Sequence, residues 1–272
     1  MKVPTQTLNN GLKIPTVGLG LWQVKDQETF VDAFDAAYKA GYRLFDSAQF
    51  YRNEQYIKVS IQKLKLKRED LFITSKIAVN NFGYNKTKKS FDQTLDNIGS
   101  SYIDLMLLHF PVSILRKKSW MALEEYYESK KARSIGVSNY TIRHLEELKK
   151  YSKITPVINQ VELHVFLQQP DLIKYCEDHN IKIEAYSPLA HGLPFDNQDI
   201  IKIAKKYNKS YAQIMLKFLL QLGLIIIPKS VTESRIIENI NLFDFEIDAK
   251  DMNQLKKLNK DLRTCWNPTM VP

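Results

Sequence analysis

Short apolar runs alternate with longer amphipathic segments along the whole chain of 272 residues. The short runs have the length of buried strands, and the longer segments carry the apolar spacing of three and four that is typical of helices. Eight strands are predicted, at residues 16–20, 44–48, 71–77, 102–109, 132–139, 157–162, 182–187 and 224–230. Eight such units of near-constant length predict a closed barrel, because an open doubly wound sheet usually has about five or six strands.

Helical patterns fill the connections between the predicted strands. Helices are predicted at residues 29–40, 140–150, 199–207 and 211–222. Asn10-Gly11 predicts a hairpin with a two-residue type I′ turn, which could close the bottom of the barrel. A further helix is predicted after the last strand, at 248–259. We therefore expect residues 1–272 to form one α/β domain, a (β/α)8 TIM barrel with an N-terminal β-hairpin plug and an extra C-terminal helix.

Composition indicates an ordinary globular protein with an excess of positive charge. Hydrophobic residues make up 44% and charged residues 25% of the chain, and 39 lysines and arginines against 30 acidic residues give a net charge of +9. The lysines are scattered over amphipathic helices and alternate with acidic residues. This pattern favours solvated helix faces over a surface that tracks nucleic acid, and it favours a small anionic ligand as partner.

Other features bear on location and partners. The first 13 residues lack an apolar stretch suited to a signal peptide, and the aliphatic clusters are far shorter than the roughly 20 residues that span a bilayer. Cys176 and Cys265 belong to no metal-binding pattern. We expect a cytoplasmic protein without a metal or a membrane partner. A monomer is expected, because no heptad pattern or long edge strand calls for a second subunit.

Polar side chains end three successive predicted strands, where the active sites of barrels lie. Asp46 ends the second strand and Tyr51 follows it, Lys76 ends the third, and His109 ends the fourth. Taken singly, Tyr51 is one of fourteen tyrosines, Lys76 could be a strand end that reaches solvent, and His109 could be a core histidine. Their arrival at one rim indicates a joint chemical role.

The four residues together have the chemistry of a proton-donating device. A phenol with a pKa near 10 is a weak acid at neutral pH, and a nearby Lys76 would lower that pKa. A buried lysine stays charged when it has a carboxylate partner such as Asp46. A neutral His109 could donate a hydrogen bond to a carbonyl oxygen and stabilise its developing charge. Such a rim reduces a carbonyl if a hydride source is bound.

Eight stretches of the chain, each at a predicted strand end, resemble the aldo-keto reductase family. The stretches are GLGLWQV (18–24), FDSAQFYRNE (45–54), LFITSKI (71–77), YIDLMLLHFP (102–111), SIGVSNY (134–140), INQVELH (158–164), AYSPLAHG (185–192) and IIPKSVTESRIIEN (226–239). The chain is most similar to the shorter microbial and protist branch, which includes 2,5-diketo-gluconate reductases and prostaglandin F synthases. The resemblance implies a catalytic tetrad of Asp46, Tyr51, Lys76 and His109, with Tyr51 as proton donor.

The resemblance also implies NADPH as cofactor, bound without a GxGxxG fingerprint, which the sequence lacks. By position in the family motifs, nicotinamide contacts fall to Ser138, Asn139, Gln160 and the stacking Tyr186. The pyrophosphate contacts fall to Ser187 and Leu189, the 2′-phosphate contacts to Lys229, Ser230, Thr232 and Arg235, and the adenine contacts to Glu238 and Asn239.

The segment after the eighth strand predicts an anion site from its own chemistry. Ser230 and Glu233 have the spacing of a capping box at the start of a helix, and Lys229 and Arg235 flank it. A helix N-terminus beside two cations binds anions readily. The alternative is an ordinary capped helix with two surface cations.

Aromatic residues near the predicted rim are candidates for the substrate pocket. The resemblance assigns a pocket wall to Trp22, and Phe50 and Phe82 are further candidates by position, beside His109 itself. Phe110 stands where the family usually has tryptophan. The short connection 111–120 and a brief tail predict an open pocket for a small carbonyl substrate.

Two alternatives from other classes remain open. One is a barrel isomerase, lyase or aldolase that holds a sugar phosphate after the eighth strand and uses Lys76 as a Schiff base. Against it, an aldolase lysine works best without a carboxylate partner. The other is a module that binds NADPH as a redox signal, although the longer rim loops of such relatives are absent from this sequence.

Overall fold

Eight parallel strands follow one another around a barrel in the computed structural model, which describes residues 3–193 and 196–271. They are β3 (Gly18–Gly20), β4 (Leu44–Asp46), β5 (Phe72–Ile77), β6 (Leu105–Leu108), β7 (Ile135–Ser138), β8 (Ile158–Glu162), β9 (Lys182–Tyr186) and β10 (Ile225–Ile226). Each strand pairs with the next in chain order, and parallel bridges from Val17 to Ile226 and from Gly20 to Lys229 join the first strand to the last. The predicted (β/α)8 barrel is confirmed, with each strand shorter than its predicted range.

Helices occupy the connections between the strands. They are α1 (Gln27–Ala40), α2 (Glu54–Lys63), α3 (Tyr84–Ile98), α4 (Arg116–Glu128), α5 (Ile142–Lys149), α6 (Pro170–Asp178), α7 (Gln198–Tyr207), α8 (Tyr211–Gln221), α9 (Glu233–Ile240) and α10 (Ala249–Lys256). Local sequence sets their ends: the Asp26 side chain caps α1, and Gly41 ends it with a φ of 109°. The predicted helices, including the extra C-terminal one, are confirmed within a few residues. In the described ranges, no helix is both long and apolar enough to cross a membrane.

Two hydrophobic clusters follow from the alternation of side chains along the strands. One fills the barrel interior and consists of Leu8, Ile14, Leu44, Phe72, Leu105, Leu107, Val157, Ile158, Ile225 and Ile227. The other lies between the barrel and its helices and includes Phe45, Ile73 and Met106, which alternate with the inward residues. Strand backbones approach closely, since a Cβ on Gly136 would lie 2.7 Å from the Ile158 carbonyl oxygen. On β4, β5, β8 and β9 the inward positions nearer the carboxyl ends are polar instead, at Asp46, Lys76, Gln160 and Glu184.

The N-terminal hairpin closes the bottom of the barrel as predicted. Its strands are β1 (Thr5–Thr7) and β2 (Lys13–Pro15), and Leu8 and Ile14 pack into the interior cluster. The predicted two-residue type I′ turn is wrong. The Gly11 amide donates to the Leu8 carbonyl, and only Gly11, at φ 84°, has a positive φ there. A type I′ turn needs positive φ at both central residues, so the chain forms a three-residue loop with glycine at its left-handed position.

Candidate active site

The carboxyl ends of β4, β5 and β6 bring the four predicted chemical residues together. Asp46 is the last residue of β4, and a short 3₁₀ turn, Gln49–Tyr51, then places the Tyr51 hydroxyl over the barrel. The Lys76 ammonium donates to Asp46 Oδ1 at 2.5 Å, to the Ser47 carbonyl at 2.9 Å and to the Tyr51 hydroxyl at 3.2 Å. The His109 ring lies 5.8 Å from the Tyr51 ring, centroid to centroid. Carboxylate, ammonium and phenol therefore form one hydrogen-bonded chain.

Burial and charge set the protonation of this chain. Lys76 is fully buried, which alone would lower its pKa, but Asp46 and Tyr51 outweigh burial and leave the pKa raised. The pKa of Tyr51 is raised as well, because burial has a larger effect than the neighbouring ammonium, which acts to lower it. The expectation that Lys76 brings the pKa of Tyr51 below its ordinary value is therefore wrong. The site holds a charged lysine and a neutral phenol at neutral pH.

His109 is a neutral imidazole in this site. Burial, followed by the positive charge of Lys76, lowers its pKa to about 3. A neutral imidazole has one N–H donor and one acceptor nitrogen. Beside the phenol of Tyr51, it can offer a hydrogen bond to an oxygen atom without carrying a charge of its own.

The four residues assigned to the nicotinamide lie on the next three strand ends and are hydrogen bonded together. The Tyr186 hydroxyl donates to Asn139 Oδ1 at 2.7 Å, and Asn139 Nδ2 donates to Ser138 Oγ at 3.0 Å and to the His109 carbonyl at 3.0 Å. Ser138 Oγ in turn donates to the Gln160 carbonyl at 3.0 Å. This group therefore adjoins the tetrad along the rim.

The Gln160 amide reaches into the barrel. Its Nε2 donates to Asp46 Oδ2 at 2.8 Å and to Glu184 Oε2 at 2.6 Å. The sequence does not single out Glu184 as a site residue, because it lies within β9 and not at a strand end. The signal that could have identified Glu184 is the presence of a carboxylate within the apolar sequence of β9.

The segment after β10 places two cations near the start of α9. Lys229 and Arg235 make no ion pair with an acidic residue in the part of the chain that the structure describes. Burial lowers the pKa of Lys229. The predicted capping box is wrong: α9 begins two residues later, with Thr232 as its N-cap, and Ser230 Oγ accepts from the Thr232 amide at 3.1 Å. The Ser230 hydroxyl therefore closes a local turn ahead of the helix.

The remaining cofactor candidates have varied surroundings. Ser187, at φ 48°, has its Oγ 2.9 Å from His191 Nε2, and Leu189 is half-buried on the same loop. Glu238 accepts a hydrogen bond from the Ser210 hydroxyl on the neighbouring helix. Asn239 is buried at 4% exposure. The structure thus places Glu238 and Asn239 on α9, on the side of the rim that follows β10.

Aromatic rings line the opening above Tyr51. Trp22 lies 4.8 Å from the Tyr51 ring and stacks on Phe50 at 5.8 Å, centroid to centroid. Trp266 meets Phe50 at 6.1 Å and Phe110 at 6.2 Å, both edge-on. The aromatic wall is therefore completed by the C-terminal tail, and Trp266 was not among the predicted pocket residues.

Phe82 lies apart from this wall. Its side chain is 4% exposed and belongs to the hydrophobic cluster between the barrel and its helices. Little of the ring is left for a substrate to contact. Phe50, in contrast, is 50% exposed at the opening.

The tail that carries Trp266 is held by Glu162, the last residue of β8. Its carboxylate accepts from the Thr264 amide and hydroxyl, both at 2.6 Å, and from the Cys265 amide at 3.2 Å. Burial alone would raise the pKa of Glu162, but hydrogen bonds from His164 and Thr264 lower it to about 2. Glu162 lies in the stretch INQVELH, but its contact with the tail joins residues 102 positions apart, so the local sequence does not predict it.

Comparison with known proteins agrees with this architecture. The Aldo/keto reductase family matches residues 16–260. Glyoxal reductase of Bacillus subtilis is 44% identical, covering 97% of this chain and 96% of its own, and methylglyoxal reductase of Escherichia coli O157:H7 is 38% identical, covering 96% and 95%. An aldo-keto reductase of Bombyx mori, solved in complex with NADP, superposes with a TM-score of 0.91 at 31% identity and covers 97% of this chain and 95% of its own. The chain therefore belongs to the aldo/keto reductase family.

Proposed function

We propose that this protein reduces small aldehydes and ketones to alcohols with NADPH, with Tyr51 as the proton donor. The observation that carries the proposal is the buried chain in which Lys76 links Asp46 to the Tyr51 hydroxyl. The Tyr51 phenol is neutral and can therefore donate its proton. The adjoining ammonium stabilises the phenolate that proton transfer leaves behind.

The proposed reaction divides its tasks among residues at the rim. A carbonyl oxygen placed between Tyr51 and His109 receives a hydrogen bond from each, and Tyr51 then transfers its proton to that oxygen. A bound nicotinamide cofactor supplies the hydride. Lys76 keeps its charge because Asp46 accompanies it, and the rings of Trp22 and Trp266 border the opening that the substrate enters.

The residues after β10 fit an anionic cofactor. Lys229 is an exposed cation, and neither it nor Arg235 forms an ion pair with an acidic side chain of the described residues, so both charges are available to a phosphate. The backbone N–H groups at the start of α9 add hydrogen-bond donors whose partial positive charge also favours an anion. The 2′-phosphate that distinguishes NADPH from NADH suits this group. Ser138, Asn139, Gln160 and Tyr186 would hold the nicotinamide end.

The substrates proposed are small reactive carbonyls. Two relatives are named for glyoxal and methylglyoxal. The wall of Trp22, Phe50 and Trp266 also offers aromatic surface, so aromatic aldehydes are expected to be accepted. A panel containing methylglyoxal and 4-nitrobenzaldehyde covers both kinds of substrate.

The first test is Tyr51→Phe, followed through the loss of NADPH absorbance with this panel. Without the phenolic proton, kcat should fall by about a hundredfold or more, while the dissociation constant for NADPH stays close to that of the wild type. Tyr56→Phe is the matched control, since that hydroxyl donates to the Lys25 carbonyl on the surface of the molecule.

The outcomes separate the alternative functions. A fully active Tyr51→Phe protein would remove Tyr51 from its proposed role. Saturable NADPH binding with no turnover on any carbonyl would favour a redox-sensing module. Borohydride trapping of a carbonyl substrate on Lys76 would favour an aldolase, although the ion pair with Asp46 argues against a nucleophilic amine there.

A further inference from the structure

Glu184 is a carboxyl group in the middle of the barrel for which the proposed reaction has no use. It lies on β9 and is fully buried. Gln160 Nε2 donates to its Oε2 at 2.6 Å, and its Oε1 is buried with no hydrogen-bond partner among the described residues. A fully buried carboxylate with a single neutral donor is costly, whereas a carboxylic acid in the same place is tolerated.

Hydrogen bonds connect Glu184 to the proposed proton donor. The chain runs from Glu184 through Gln160 to Asp46, at 2.6 and 2.8 Å, and on through Lys76 to Tyr51, at 2.5 and 3.2 Å. Both amide hydrogens of Gln160 and all three ammonium protons of Lys76 are used. Each of these side chains is therefore held in place by its neighbour, and a change in the charge of Glu184 acts on Tyr51 through them.

Burial and the negative charge of Asp46 favour the neutral form of Glu184, and they outweigh the Gln160 hydrogen bond and the charge of Lys76, which favour the ionised form. Asp46 on β4 lies beyond Gln160, and the ammonium of Lys76 on β5 lies on the far side of Asp46. The neighbouring strands contribute no charge at this level, since β8 supplies Gln160 and β10 pairs through Ile225. Burial, followed by the negative charge of Asp46, raises the pKa of Glu184 to about 8.

We propose that Glu184 is a positioning residue of this site, which sets the proton affinity of Tyr51 through Gln160, Asp46 and Lys76. The inference rests on the proposed role of Tyr51. When Glu184 is neutral, Asp46 and Lys76 are the only charged side chains in this series of hydrogen bonds. An ionised Glu184 adds a negative charge, which strengthens the hold of Tyr51 on its proton.

Glu184→Gln tests this effect through the pH dependence of alcohol oxidation with NADP⁺, in which Tyr51 acts as the base. The wild type carries an ionised Glu184 at the alkaline pH where Tyr51 titrates, and the variant carries none. The midpoint of the kcat/KM profile should therefore move to lower pH in the variant, by about half a unit or more. Thr74→Val is the control. It changes an inward side chain of β5 that takes no part in this series of hydrogen bonds, so the midpoint should stay at the wild-type pH.

A merely structural Glu184 would give a different result. The variant would then change kcat/KM by the same factor at every pH, with an unmoved midpoint, and this outcome would overturn the proposal. A downward shift in Thr74→Val as large as that in Glu184→Gln would overturn it too, because any disturbance of the barrel interior would then suffice.

Infrared difference spectroscopy of the purified protein reads the charge of Glu184 without any turnover. The wild type should lose a protonated-carboxyl band as the pH rises through about 8, and Glu184→Gln should lack that band. Absence of the band from the wild type at neutral pH would mean an ionised Glu184 and would refute the inference. An active Tyr51→Phe protein would instead defeat the proposed function, while the band of Glu184 would remain as expected.

Discussion

Each proton of the Lys76 ammonium has its own acceptor, and this fixes both the place and the charge of the residue. The three acceptors are Asp46, the Ser47 carbonyl and Tyr51. An arginine at this position would spread its charge over a planar fork that this tetrahedral arrangement does not fit. The local electrostatics therefore depend on one side chain of β5, whose three acceptors lie at the end of β4 and in the segment that follows it.

The proposed preference for NADPH also rests on single residues, and Arg235→Ala tests it. A charge-assisted hydrogen bond contributes about 1.5–3 kcal/mol, so loss of the contact to a 2′-phosphate should weaken NADPH binding by about ten- to a hundredfold. NADH has no such phosphate, and its dissociation constant should barely change. Fluorescence titration with both cofactors measures this, with the exposed Lys250→Ala as a charge-matched control. An equal loss for NADPH and NADH would refute the assignment.

The sequence allowed the tetrad to be placed because its members end apolar strands, where polar residues are conspicuous. Gln160 was assigned to the nicotinamide by its place in a family motif, and in the structure its amide turns toward Asp46 and Glu184, contacts that join positions 114 and 24 residues apart. The raised pKa of Tyr51 was not predictable either, since it depends on how deeply the ring is buried. Charge pairs can be anticipated from neighbouring strand ends, whereas burial is a property of the assembled site.

Among the elements, the C-terminal tail has a carboxylate anchor in Glu162, and Glu162→Gln tests that anchor. The carboxylate has a pKa of about 2 in the folded protein against an ordinary value of 4.5. Its contribution to stability is therefore complete above about pH 4.5 and is lost as the pH falls toward 2. Urea unfolding should show the variant to be less stable by a constant amount at neutral pH, with the difference shrinking in acid.

A suitable control for this anchor is Glu177→Gln, an exposed carboxylate on α6. It should match the wild type throughout the same pH range. A Glu162→Gln protein whose deficit is as large in acid as at neutral pH would show that the carboxylate charge does not hold the tail.

At the level of elements, periodicity predicted the barrel but not its local turns. All eight strands and the five helices that were predicted with ranges follow from their apolar patterns, because a buried face imposes its period on the sequence. The Asn10-Gly11 turn and the start of α9 depend instead on backbone angles at one or two residues. At both places several turn geometries are compatible with the same residues, and the surrounding contacts select one.

The molecule as a whole divides its barrel into an apolar lower half and a polar upper half. Leu44, Phe72 and Ile158 fill the lower interior, Asp46, Lys76 and Gln160 follow on the same strands, and Glu184 joins them from β9. A barrel interior packed with aliphatic side chains throughout would avoid the desolvation of these groups. The polar half therefore lowers the free energy of unfolding, and the proposed chemistry explains its presence.

Glu184→Gln measures this conflict between stability and chemistry through the pH dependence of unfolding. Between the ordinary pKa of 4.5 and the native value of about 8, the native protein holds a proton that the unfolded chain has lost. The stability of the wild type consequently falls as the pH rises across this window, and glutamine removes that fall. Urea unfolding should show that the free energy of unfolding of the variant, relative to that of the wild type, increases from about pH 5 to about pH 8 and then stays constant. Thr74→Val should show no such trend. If the difference between variant and wild type were independent of pH, Glu184 would not be the buried neutral acid on which the polar half of the barrel depends.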